Sequence, residues 1–153
     1  MVSADCMGKY ILQHLEEALE NHWVQVYYQP VIRTLTGDLC GLEALARWVD
    51  PQAGILSPAT FIPVLEEARQ IHRLDAYVLE EVCRTIRQRL DAGLAITPVS
   101  FNLSRLDFFA CNLFEEINGR VDRAGIPHSQ LALEITESVF VQDMSSIAPV
   151  LDQ

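Results

Sequence analysis

The chain has 153 residues, half of them apolar, and a formal net charge of −10. That length fits one domain with a sizeable core, and the apolar share excludes a disordered chain. The acidic balance argues against a nucleic-acid backbone or an anionic membrane as partner; an anionic small ligand fits only where metals or a few local cations reverse the sign. Cys6, Cys40, Cys83 and Cys111 are scattered with no CxxC pair, which reads as reduced thiols in a cytoplasmic protein. The four histidines do not accompany them at zinc spacing. Neither a signal peptide nor an apolar run long enough to span a bilayer is visible, so an anchor of the parent protein would lie outside these residues.

In chain order, Ile11, Leu12, Leu15, Ala18 and Leu19 recur at helical spacing and predict a helix over residues 5–20, with Asn21 at its end. VQVYYQPVI (24–32) is rich in β-branched and aromatic residues and reads as a strand. Thr36-Gly37 signals a turn, and DLCGLEALARWV (38–49) reads as a second strand. The connection is far too short for a parallel crossover, so the pair forms an antiparallel hairpin. Asp50, Pro51 and Gly54 read as a loop. Ser57-Pro58 is an N-cap followed by a first-turn proline, opening a helix to about Arg69. Leu74, Val78, Val82, Ile86 and Leu90 predict a longer helix stopped by Gly93. TPVSFNLS (97–104) is a third strand, residues 112–124 a helix, LALEITES (131–138) a fourth strand, and residues 143–153 open another helix. From the second strand on, strands and helices alternate, the pattern of an α/β fold with a parallel sheet. Four strands make either a small open sheet or part of a barrel, since a complete eight-stranded barrel takes about 250 residues.

Side chains alternate across a strand. In the second strand Leu42, Ala44, Ala46 and Trp48 share one face, and Gly41, Glu43, Leu45 and Arg47 the other. In the third, Ser100, Asn102 and Ser104 oppose Phe101 and Leu103; in the fourth, Ala132, Glu134 and Thr136 oppose Leu133, Ile135 and Glu137. Three strands therefore each carry a polar face and an apolar one. Taken singly, each polar face reads as a solvated sheet surface. Parallel sheets are usually covered on both faces, so these polar groups are expected to be enclosed and to need a cation, a hydrogen-bond network or a metal. Two carboxylates and an amide oxygen are hard ligands, suited to Mg²⁺ or Mn²⁺ rather than zinc.

YYQPVI (27–32), EALARW (43–48), GILSPATFIPVLEE (54–67), VSFNLS (99–104) and LALEITES (131–138) together resemble the EAL domain family, bacterial phosphodiesterases of cyclic di-GMP. The resemblance implies a modified (β/α)8 barrel with an antiparallel first strand, here the N-terminal part of one domain, truncated to about four strands, with residues 1–9 flanking it. It implies that Glu43, Asn102 and Glu134 are metal ligands for Mg²⁺ or Mn²⁺, two ions in the complete domain. Arg47 would reach a substrate phosphate, Gln29 and Leu45 would line the dinucleotide site, Asp75 would touch a guanine, and Glu137 would steady a loop. Trp48, Phe61 and Ile62 read as core, and His14, His22, His72 and His128 as surface or structural.

The activity implied is metal-assisted hydrolysis of cyclic di-GMP to linear pGpG. The family's next strand carries a DDFG segment that completes the metal site, followed by a Lys, a Glu and a Gln-containing loop. These lie beyond Gln153, so the 153 residues alone are expected to be inactive and to self-associate through open sheet edges. The resemblance also implies a GGDEF or sensor domain in the parent protein. The alternatives are a non-catalytic cyclic di-GMP receptor and a protein-interaction module that has lost the ligand.

Overall fold

A computed structural model describes residues 4–104 and 113–135. The predicted helix over 143–153, Cys111, and the end of the fourth strand with Thr136 and Glu137 lie outside the described residues. In chain order the elements are α1 (Ala4–Glu20), β1 (Val24–Ile32), β2 (Leu39–Asp50), β3 (Gly54–Leu56), α2 (Pro58–Glu67), α3 (Ile71–Asp91), β4 (Val99–Leu103), α4 (Leu113–Ala124), a 3-10 turn (His128–Gln130) and β5 (Leu131–Ile135).

The main path of the sheet runs β1-β2-β4-β5. β1 and β2 form the expected antiparallel hairpin, with Val24 opposite Trp48 and Gln29 opposite Glu43. β2 pairs parallel with β4, and β4 parallel with β5. The sequence reading missed one strand: the stretch after Asp50 returns as β3, antiparallel to β2 through Trp48↔Leu56 and Asp50↔Gly54. Its three residues are too few for a period of two to register.

Asp50 makes that return possible. Its Oδ1 accepts the backbone N–H groups of Gln52 and Ala53 at 2.8 and 2.7 Å and the Tyr10 hydroxyl at 2.8 Å, while Oδ2 accepts the Trp48 indole at 3.2 Å. One buried carboxylate thus shapes the turn and ties α1 to the end of β2. Burial alone would push its pKa up; the N–H groups of Ala53 and Gln52, with Tyr10 and Trp48, outweigh that and hold it below the ordinary value. On the other side of the bond, burial and then Asp50 push the Tyr10 hydroxyl up to about 12.

The helices pack on one face of the sheet. Ile11, Leu15 and Ala18 of α1, Phe61 and Leu65 of α2, and Val78, Val82 and Ile86 of α3 are buried with Trp48 and Phe101. Trp48 and Phe61 meet with ring centroids 5.9 Å apart at 59°, a tilted aromatic pair. Burying side chains of this size contributes about 1.5–3 kcal/mol each.

The four helices of the described residues close the same way. After α3, the N–H of Leu94 reaches the carbonyl of Arg89 at 2.9 Å and that of Gly93 reaches Leu90 at 3.0 Å, with Gly93 at φ +66. Gly125 does the same after α4 at φ +62. This Schellman closure needs a left-handed residue, which glycine supplies without strain. α1 and α2 make the closure with His22 (φ 55) and Arg69 (φ 54) instead. The helix expected to run to about Arg69 therefore ends at Glu67. Ser57 stands at its N-cap, but its hydroxyl meets Thr60 Oγ1 at 3.0 Å and caps no backbone N–H.

Candidate functional site

The polar face predicted by alternation is one continuous surface opposite the helices. Gln29, Glu43, Ser100 and Ala132 form one row across β1, β2, β4 and β5. The next row toward the carboxyl ends of the parallel strands holds Leu45, Asn102 and Glu134: Asn102 pairs with Glu134, and Leu45 and Asn102 each follow a member of the Ala44↔Phe101 pair. Arg47 lies one row further, opposite Gln25. The site therefore sits toward the carboxyl ends of β2, β4 and β5, where open and closed α/β sheets place theirs.

Three predicted ligands come together. Asn102 Nδ2 donates to Glu43 Oε1 at 2.9 Å, a contact spanning 59 residues of sequence, and Glu134 is Asn102's register partner. The expected enclosure is not observed: Asn102, Glu134 and Gln29 are exposed, and Glu43, Leu45 and Arg47 half-buried. The rule that parallel sheets are covered on both faces fails on this surface because the helices α1–α4 all pack on the opposite one.

Glu43 and Arg47 do not pair. Four residues along a strand separate them by about 13 Å. Arg47 Nη1 instead donates to the carbonyl of Ala46 at 2.9 Å, and among the described residues it has no carboxylate within ion-pair distance. Its remaining guanidinium donors suit phosphate oxygens.

The donor set fits a divalent cation in kind. Two carboxylates and an amide are oxygen donors of the hard type. Among the described residues no three His, Cys, Asp or Glu side chains gather closely enough to hold a metal.

Asp75, on α3, stands at the exit of β4, where its Oδ2 accepts the Ser104 N–H at 3.0 Å. Glu66, which the sequence analysis did not single out, accepts the Ser104 hydroxyl at 2.9 Å. No periodicity marks it, since the contact joins residues 38 apart. Glu137 lies outside the described residues. Of the histidines, expected at the surface or in structural contacts, His14 stacks on Tyr10, His22 meets the Tyr77 hydroxyl at 3.0 Å, His128 meets Asp122 at 2.8 Å, and His72 is exposed. Trp48 and Phe61 are fully buried and Ile62 packs against the core. The Cys83 thiol is buried, and burial, then Glu80, push it up to about 11, which keeps it an unreactive thiol. Among the described residues no helix is long and apolar enough to cross a membrane.

A family model described as EAL domain matches residues 12–153. The bifunctional diguanylate cyclase/cyclic di-GMP phosphodiesterase MucR of Pseudomonas aeruginosa is 35% identical over 143 residues, covering 94% of this chain and 21% of the relative. The oxygen sensor protein DosP of Escherichia coli is 38% identical over 133 residues, covering 87% of this chain and 17% of the relative. The chain thus spans about a fifth of the length of these curated relatives. Among solved structures, the PaMucR phosphodiesterase in complex with c-di-GMP superposes with a TM-score of 0.84 at 34% identity, covering 94% of this chain and 58% of that one.

Proposed function

The chain belongs to the EAL domain family, and on that premise we propose that it is part of a phosphodiesterase that hydrolyses cyclic di-GMP to linear pGpG. The observation that carries this reading is the meeting of Glu43 and Asn102 at 2.9 Å beside Glu134, on the face opposite the core. Glu43, Asn102 and Glu134 would hold Mg²⁺ or Mn²⁺, which when bound lowers the pKa of a water and neutralises charge at phosphorus. Arg47 orients a phosphate through its fork of donors. Leu45 and Gln29, flanking Glu43 on the same face, bound the place where the dinucleotide lies. Asp75 contacts a guanine, and Glu137 steadies the adjoining loop.

The wider protein is part of the same proposal. The relative MucR is a bifunctional diguanylate cyclase and phosphodiesterase, which supports a GGDEF-type neighbour here. β1 ends the described sheet and exposes Tyr27, Val31 and Ile32, which supports self-association along that edge; light scattering of the 153 residues tests it, with dimers or larger species expected and a monomer at high concentration against it.

The second reading is a receptor that holds cyclic di-GMP without cutting it. It is favoured by the absence, among the described residues, of any three His, Cys, Asp or Glu side chains gathered closely enough to hold a metal. Incubating the complete gene product with cyclic di-GMP and Mg²⁺ or Mn²⁺, with products separated by chromatography, decides between them. The phosphodiesterase reading expects pGpG; tight binding without turnover supports the receptor, and neither binding nor turnover defeats both.

A further inference from the structure

Ser104 ends the polar face two residues beyond Asn102. Its hydroxyl donates to Glu66 at the end of α2 and its backbone N–H to Asp75 on α3. Helices from the covered side of the sheet thus reach round the exit of β4 and hold it by hydrogen bonds to carboxylates, the stronger kind.

Stability alone does not account for Glu66. It is half-buried, and among the described residues it has no basic group within ion-pair distance. It also sits in the last turn of α2, where the helix dipole disfavours an anion and a basic residue would be preferred; that turn contains none. A partly desolvated, badly placed carboxylate is a cost to the fold. What it gains is the Ser104 hydroxyl.

We propose that Glu66 is a positioning residue for the site: through Ser104 Oγ it fixes the end of β4, and so the direction in which Asn102 presents its amide toward Glu43 and Glu134. The proposal rests on the phosphodiesterase reading for its functional consequence, but its structural half stands apart from it.

The test uses the complete gene product with Glu66→Ala, Glu66→Gln, Ser104→Ala and the Glu66→Ala/Ser104→Ala pair. Each is assayed for hydrolysis and, separately, for Mn²⁺ affinity by electron paramagnetic resonance of the free ion. Removing a group that supports a ligand typically costs about tenfold to a hundredfold. Glu66→Ala and Ser104→Ala should each lower Mn²⁺ affinity and kcat by about tenfold, with KM for the dinucleotide changed by less than about threefold. Glu66→Gln keeps an acceptor oxygen and should restore both values. The double variant should lose no more than either single one, because all of them break the same bond. Wild-type Mn²⁺ affinity and kcat in Glu66→Ala, or losses that multiply in the pair, would overturn the proposal. Should Glu66→Ala fail to fold, Ser104→Ala, which deletes one hydroxyl, carries the same test. Should the wild type neither bind nor cut cyclic di-GMP, the functional reading fails, and amide hydrogen exchange at residues 101–103 judges the positioning. Faster exchange in Glu66→Ala and Ser104→Ala but not in Glu66→Gln sustains it; unchanged exchange in all three overturns it.

Discussion

On the helix-covered side of β2 and β4, Ala44, Trp48, Phe101 and Leu103 are buried; on the other side of the same strands Asn102 is exposed and Glu43 and Arg47 half-buried. Successive residues of one backbone thus serve opposite ends. Phe101 contributes by leaving water. Its neighbour Asn102 keeps a polar side chain at a place where an apolar one would cost the fold nothing. The pleat lets a rigid, dry layer set the register that brings Glu43, Asn102 and Glu134 from distant parts of the sequence to one place. Stability and function separate by face, not by segment, and substitutions on the two faces should therefore have opposite signatures.

The largest effect is expected on the covered face. Phe101→Ala should cost about 3–5 kcal/mol in chemical denaturation, since it empties a fully enclosed site. A cost below that of an exposed substitution would break the comparison.

On the polar face, Glu43→Ala should leave the midpoint of denaturation unchanged or raise it. In the complete gene product it should cut cyclic di-GMP hydrolysis by about a hundredfold to a thousandfold, the scale of losing one preorganised electrostatic group. Unfolding of this variant would mean that Glu43 belongs to the stability layer. Arg47→Ala should weaken cyclic di-GMP binding in calorimetry by about tenfold to a hundredfold, the range for a hydrogen bond to a charged group. Its melting curve should not move.

The smallest effect sharpens the boundary between the faces. Asp50 is polar yet lies on the covered side, so its signature should be structural. Its folded pKa is below the ordinary 3.8, so its stabilisation is complete above that value and is lost as pH falls toward the folded one. An acid titration should show wild-type stability falling below about pH 4 more steeply than that of Asp50→Asn, with Tyr10→Phe costing about 1 kcal/mol at neutral pH. Parallel titration curves for wild type and Asp50→Asn would contradict this.

Much of this architecture was legible in the sequence because its signals are local. Turn residues and connection length marked the β1–β2 hairpin, and alternation placed Glu43, Asn102 and Glu134 on one face before any coordinates. β3 was not legible, because three residues carry no period and its return depends on four hydrogen bonds gathered by Asp50. Glu66 was invisible for a related reason: its partner Ser104 lies 38 residues away, and nothing in a helix pattern points across that distance. The exposure of the polar face was misjudged from a rule about parallel sheets, which describes sheets with helices on both sides. Local chemistry can be read from a sequence, whereas a contact between distant elements is known only once the strands are in register.

The most direct test of this division is an NMR titration of the isotope-labelled complete protein with cyclic di-GMP. Chemical-shift changes should gather at Gln29, Glu43, Leu45, Arg47, Asn102 and Glu134 and leave the core side chains of Trp48, Phe61 and Phe101 unmoved. Changes centred on the helix-covered side, or no changes at saturating ligand, would contradict the assignment of binding to the polar face.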